Sequence, residues 1–136
     1  MRLDLTKRAD YAIRAVLALA RAPGSERRSV RQVAADQRIP ARFLHQVMGD
    51  LVRAGLVEAT VGRSGGYRLA KPSTGISLLD VVEAVEGDSR RSVCVLRGGP
   101  CALDGVCNVH AVFAAAQDDA LSRLRGSSVA EAIGID

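Results

Sequence analysis

The stretch SVRQVAADQRIPARFLHQVMGDLVRAGLVEATVGRSGGYRLA, residues 29–70, decides the fold. It opens on Ser29-Val30-Arg31-Gln32, the spacing of a capping box in which a Ser hydroxyl and a Gln amide each satisfy a free backbone N–H, and so predicts a short helix through Gln37. Ile39-Pro40 breaks that helix. From Ala41 onward, Leu44, Val47, Met48 and Leu51 recur at helical spacing, and Ala54-Gly55 closes the segment with a glycine at the C-terminal capping position. Two helices a few residues apart form a helix-turn-helix candidate. Next, Leu56 to Val61 and Tyr67 to Ala70 read as short strands around the turn Gly62-Arg63-Ser64-Gly65-Gly66. A helix-turn-helix followed at once by a basic-tipped hairpin is the layout of a winged helix.

Upstream, Ala9, Ala12, Ile13, Val16, Leu17 and Ala20 predict an amphipathic helix over residues 6–22, stopped by Pro23-Gly24. Downstream, residues 71–75 connect to a helix over 76–85 with Ser77 as a cap. Residues 87–105 lose all periodicity and read as a loop. Val109, Val112, Phe113, Ala116, Ala120, Leu121 and Leu124 then mark a helix over residues 108–125. The expected fold is mainly α with a small β-hairpin wing.

The chain has 136 residues, room for one modest core. With 48% apolar and 25% charged residues it has an ordinary soluble composition, and no window approaches the roughly 18 apolar residues that a spanning helix needs. Asp4, Asp10 and Arg14 interrupt the N-terminal apolar residues, which argues against a secretory signal. No membrane association and a cytoplasmic, reducing location are therefore expected. The net charge of +4 conceals a split: residues 1–75 carry 14 Lys/Arg against 6 Asp/Glu (+8), and residues 76–136 carry 5 against 9 (−4). The basic half is expected to face a polyanion.

Double-stranded DNA suits that half. The apolar stripe of the second motif helix leaves Arg42, His45, Gln46 and Arg53 on the opposite side, where Gln pairs with adenine and Arg with guanine. Arg27, Arg28, Arg31 and Arg38 surround the first motif helix at positions for phosphate contact, and Arg63 and Arg68 suit a wing following the backbone or minor groove. Gly49 and Asp50 fit less well, one for its low helix propensity and the other for its charge, and are expected to lie away from the DNA surface.

Cys94, Cys101 and Cys107 fall within 14 residues. An odd, clustered set argues against a disulfide scaffold. With His110 the pattern offers three thiolates and an imidazole, donors for an iron-sulfur cluster or zinc. The wide spacing on a glycine-rich loop favours the larger cluster, with zinc and redox-active thiols as alternatives. Asp10 precedes Arg14 by four residues, the geometry of an ordinary helix ion pair. A Cys-His enzyme is a remote alternative, since no oxyanion element, acid partner or phosphate loop accompanies the pair.

These residues together resemble the Rrf-two family of winged-helix transcriptional regulators, of the IscR, NsrR and RirA kind. The likeness rests on Asp10-Tyr11-Ala12-Ile13-Arg14, on Phe43-Leu44 and Gln46, on Gly65-Gly66-Tyr67-Arg68-Leu69-Ala70, on Ile76-Ser77-Leu78, on Asp80-Val81-Val82 and Ala84-Val85-Glu86-Gly87, and on the three cysteines. It implies a transcription regulator rather than an enzyme, of the repressor type, forming a homodimer through the long C-terminal helix. Residues 1–75 would be the DNA-binding domain, and residues 76–136 a sensor loop (about 87–107) and a dimerisation helix (about 108–125). The dimer would read a pseudo-palindromic operator. The resemblance also implies an iron-sulfur cluster, two-iron or four-iron, on Cys94, Cys101 and Cys107, answering to iron, nitric oxide or redox state. Its fourth ligand would be His110, or Asp10 from the partner subunit. His45 stands where some members read a base with glutamate, which implies a different target sequence.

Overall fold

A computed structural model describes residues 4–87 and 108–134. The chain forms α1 (Lys7–Ala20), α2 (Val30–Gln37), α3 (Ala41–Arg53), β1 (Val57–Thr60), β2 (Gly66–Leu69), α4 (Leu78–Glu86), α5 (Asn108–Arg125) and α6 (Val129–Ala132). Single 3₁₀ turns lie at Pro23–Ser25 and Ser73–Gly75.

Local chemistry sets the helix starts. Thr6 caps α1 by accepting from the Ala9 N–H at 3.1 Å. Ser29 and Gln32 form the expected capping box at α2: the Gln32 N–H donates to Ser29 Oγ at 3.1 Å and the Ser29 N–H to Gln32 Oε1 at 2.9 Å. Ser77 and Asp80 repeat it at α4. The helix over residues 108–125 has the predicted bounds, and α1 is shorter than expected because residues 21–22 turn into the Pro23–Ser25 segment.

β1 and β2 pair antiparallel, Val57 opposite Leu69 and Thr60 opposite Gly66. The hairpin does not stand alone. The Arg28 N–H donates to the Tyr67 carbonyl at 2.9 Å and the Tyr67 N–H to the Arg28 carbonyl at 2.8 Å, so the strand before α2 fastens the wing to the helical body. A Cβ on Gly66 would lie 2.9 Å from the Arg28 carbonyl oxygen, and its φ is +140°, so this crossing requires glycine.

One hydrophobic cluster unites the elements. Val16 and Leu19 of α1, Val33 of α2, Leu44, Val47, Met48 and Leu51 of α3, Leu56 and Val57 at the hairpin, and Ile76, Val81 and Val129 from beyond Gly75 are all buried in it. The last of these arrives through α6, which the sequence pattern did not predict. Val129 N–H donates to the Ile76 carbonyl at 2.8 Å and Leu78 N–H to the Ser127 carbonyl at 2.9 Å, pinning the chain after α5 to the start of α4. By contrast α5 buries only Leu121. Val109, Val112 and Phe113 on its first half are exposed. No helix among the described residues is long and apolar enough to cross a membrane.

Candidate nucleic-acid interface

The buried stripe Leu44, Val47, Met48, Leu51 fixes the rotation of α3. It leaves Arg42, Phe43, His45, Gln46 and Arg53 exposed. The Arg42 guanidinium lies over the Phe43 ring, 5.8 Å from its centroid, which holds it at the start of the helix. Phe43 is 49% exposed, an apolar side chain among polar ones that periodicity alone marks as off the core.

Between α2 and α3 the chain turns through Arg38, at φ 54° and ψ 47°, the one non-glycine at positive φ among the described residues. The Arg38 N–H donates to the Ala34 carbonyl, and so does the Ile39 N–H at 3.0 Å. This left-handed residue reverses the chain tightly enough for buried Ile39 to enter the core beside Leu44. At the wing tip, Arg63 is exposed beside a tight turn closed by the Gly65 N–H on the Gly62 carbonyl at 3.0 Å. A shallow groove runs between this tip and the start of α2, lined by Arg27, Arg31 and Arg63 together with Glu26, Ser29 and Gln32.

The arginines named from the sequence divide into two sets. Arg28 pairs with Asp36 at 3.2 Å, Arg53 with Asp50, and Arg68 with Glu58 across the hairpin. Arg27 donates to the Thr60 hydroxyl at 3.1 Å. Arg31, Arg38, Arg42 and Arg63 have no carboxylate partner among the described residues and are exposed. The second set presents unneutralised, exposed charge, which phosphate contacts require.

Asp50 and Gly49, both expected away from the DNA surface, are placed differently. The Asp50 side chain is only 14% exposed and is held by Arg8 of α1 and Arg53, so its charge is neutralised within the fold. Arg8 has no signal in the sequence that would pair it with a residue 42 positions away. Gly49, expected away from the DNA surface, lies three residues after Gln46 and four before Arg53 and therefore shares their face.

Of the metal-ligand candidates, His110 and Asp10 lie among the described residues. Cys94, Cys101 and Cys107 lie outside the described residues, as does the proposed loop. His110 sits in the first turn of α5, and its Nδ1 is buried with no hydrogen-bond partner among the described residues. Asp10 accepts from Arg14 at 3.0 Å, and Arg14 also donates to the Gln37 carbonyl at 2.6 Å and lies over the Tyr11 ring at 5.3 Å. Among the described residues no three His, Cys, Asp or Glu side chains converge as metal ligands.

A helix-turn-helix with exposed Arg and Gln on its second helix, and an arginine-tipped hairpin fastened beside it, define a winged-helix DNA-binding regulator. Residues 5–134 match the family model Rrf2, an iron-dependent transcriptional regulator, and the chain belongs to this Rrf2 (Rrf-two) family. It is 36% identical over 112 residues to the HTH-type transcriptional regulator NsrR of Shouchella clausii, covering 82% of this chain and 75% of that one. It is 38% identical over 111 residues to the HTH-type transcriptional regulator IscR of Cereibacter sphaeroides, covering 80% and 69%. Its fold matches CymR, the global cysteine regulator of B. subtilis, with a TM-score of 0.82 at 21% identity over 97% of both chains. The family and these sequence relatives are transcriptional regulators, not enzymes.

Proposed function

We propose that the chain is a cytoplasmic repressor that reads a pseudo-palindromic operator as a homodimer and carries an iron-sulfur cluster as its sensor. The exposed Arg42, His45, Gln46 face of α3, flanked by unpaired Arg31, Arg38 and Arg63, carries the reading. Arg42 and Gln46 contact base edges, with His45 beside them; Arg31, Arg38 and Arg63 contact phosphates. Arg28, Arg53 and Arg68, already neutralised by carboxylate partners, contribute less to phosphate binding. Residues 1–75 supply this surface, and residues 76–136 supply sensing and pairing. The apolar face Val109, Val112, Phe113 of α5, exposed among the described residues, pairs with its copy on a second chain. Two α3 helices spaced by one helical turn of DNA, about 34 Å, then meet successive major grooves.

The donors in hand suit the cluster. Cys94, Cys101 and Cys107 would hold it, and His110 is favoured as the fourth ligand, because its Nδ1 is enclosed without a partner whereas the Asp10 carboxylate is engaged by Arg14. When bound, such a group supplies a site that changes charge or coordination with iron supply, nitric oxide or redox state. The chain's own part is mechanical: α4 packs on both α1 and α3 and also on α5, so it connects the sensor half to the reading helix.

The test combines two measurements. Anaerobically purified protein is assayed for iron, sulfide, zinc and visible absorption, and His110→Ala is expected to change the cluster spectrum while Asp10→Ala leaves it. Colourless protein with stoichiometric zinc would replace the cluster with a zinc site. Duplexes are then selected from a random pool: Arg42→Ala and Gln46→Ala should each lose about 1–3 kcal/mol of preference at one base position. Unchanged preference in both would move the readout off α3.

A further inference from the structure

Gly49 stands seven residues after Arg42, three after Gln46 and four before Arg53, in the middle of the outward face of α3. Glycine inside a helix lowers its stability relative to alanine. Two reasons internal to a fold can justify one, and neither applies among the described residues. Gly49 is absent from the glycines at positive φ, which are Gly24, Gly55, Gly62, Gly66, Gly87 and Gly134. A Cβ built on it would meet only the Arg53 guanidinium, at 3.5 and 3.9 Å, ordinary contact with the end of a flexible side chain. The contrast with the wing is sharp: at Gly65 a Cβ would lie 2.1 Å from the Thr60 carbonyl oxygen. The fold therefore requires glycine at 65 and tolerates a methyl group at 49.

The surroundings of Gly49 point to DNA. The Gln46 amide and the Arg42 and Arg53 guanidiniums share its face, and the one nearby carboxylate, Asp50, is mostly buried between Arg8 and Arg53. We infer that the α3 backbone at Gly49 approaches the base edges of the major groove, and that the missing Cβ sets how deeply the helix enters. This rests on the proposed reading of DNA by α3. Gly49 thereby becomes a specificity determinant that contributes by absence: a methyl group there lifts Arg42 and Gln46 off their bases together, without touching either.

The test uses the full chain and a duplex that wild type selects from a random-sequence pool, with a scrambled duplex of equal length for comparison. Gly49→Ala is expected to keep or raise the unfolding midpoint, to weaken binding to the selected duplex at least tenfold, and to leave the scrambled duplex unaffected. A lowered midpoint would mean that glycine serves the fold, and overturns the inference. Unchanged or tighter binding to the selected duplex overturns it as well, and equal losses on both duplexes put the contact at phosphate instead of base edges. If wild type selects a duplex through Arg42 and Gln46 but is indifferent to Gly49→Ala, only this inference fails. If wild type selects no duplex, the reading of DNA by α3 fails with it.

Discussion

A carboxylate on a helix that seeks phosphate ought to repel it, yet Asp50 stands on α3 four residues beyond Gln46. The fold answers with Arg8 and Arg53, which hold the carboxylate in a mostly buried position. Asp50→Asn should cost about 1 kcal/mol or less in urea unfolding, because both arginines are largely exposed and their attraction is screened. The same change frees Arg53 and removes a negative charge, so duplex affinity at low salt should rise. An anisotropy titration across salt reads this directly; an affinity that does not rise would place Arg53 off the DNA. The other pairings predict a ranking. Arg63→Ala should flatten the logarithmic salt dependence by about 0.9, one phosphate's worth, whereas Arg68→Ala should change it less because Glu58 already neutralises that guanidinium. Equal slopes for the two variants would refute the division into paired and unpaired arginines. Residue types and spacing named these cations in advance, but which of them are neutralised depended on side-chain pairings across a turn or a hairpin, Arg28 with Asp36 and Arg68 with Glu58, that residue type and helical period do not specify.

At the scale of elements, the helices that could be read are those whose period or cap is written locally. The Ser29/Gln32 box and the Leu44, Val47, Met48, Leu51 stripe place α2 and α3 within a residue of their observed ends. Ser29→Ala should cost about 1 kcal/mol of stability, measured by urea denaturation, since two N–H groups lose their acceptor or its alignment. α6 was not legible, because four residues make one turn and one turn has no period. Its existence depends on the contact of Val129 with the core, which is tertiary information. Arg38 was legible as a cation and not as a hinge of the backbone. A side chain at left-handed φ carries a steric cost of about 1 kcal/mol that glycine avoids. Arg38→Gly should therefore hold or slightly raise the unfolding free energy while weakening DNA binding, and a substantial loss of stability would mean the turn is held by the side chain itself.

For the whole molecule, the charge split near Gly75 and the packing do not coincide. Ile76, Val81 and Val129 belong to the same buried cluster as α1 and α3, so the division at residue 75 separates proposed roles within one core. A fragment of residues 1–75 should fail to show a cooperative unfolding transition, because it exposes the apolar surface those residues cover. The opposite holds for α5, where Val109, Val112 and Phe113 stay exposed among the described residues. Val112→Glu combined with Phe113→Glu should turn a dimer into a folded monomer in sedimentation velocity, with the unfolding midpoint losing its dependence on protein concentration. Wild type sedimenting as a monomer would contradict the proposed pairing.

The two hydrogen bonds that join Ile76 to Val129 and Leu78 to Ser127 give the molecule a clasp. After α5 the chain is tied back at residues 127–129 to residues 76–78, at the start of α4, and Val129 enters the core there. A single peptide cleavage between residues 87 and 108 would thus sever the connection without releasing anything. The two fragments should elute together and separate only in denaturant, with the DNA-reading body still wearing α5 and α6. Co-elution would show that the clasp and the shared core hold the described elements together whether or not the backbone between residues 87 and 108 is continuous; separation without denaturant would show that they do not.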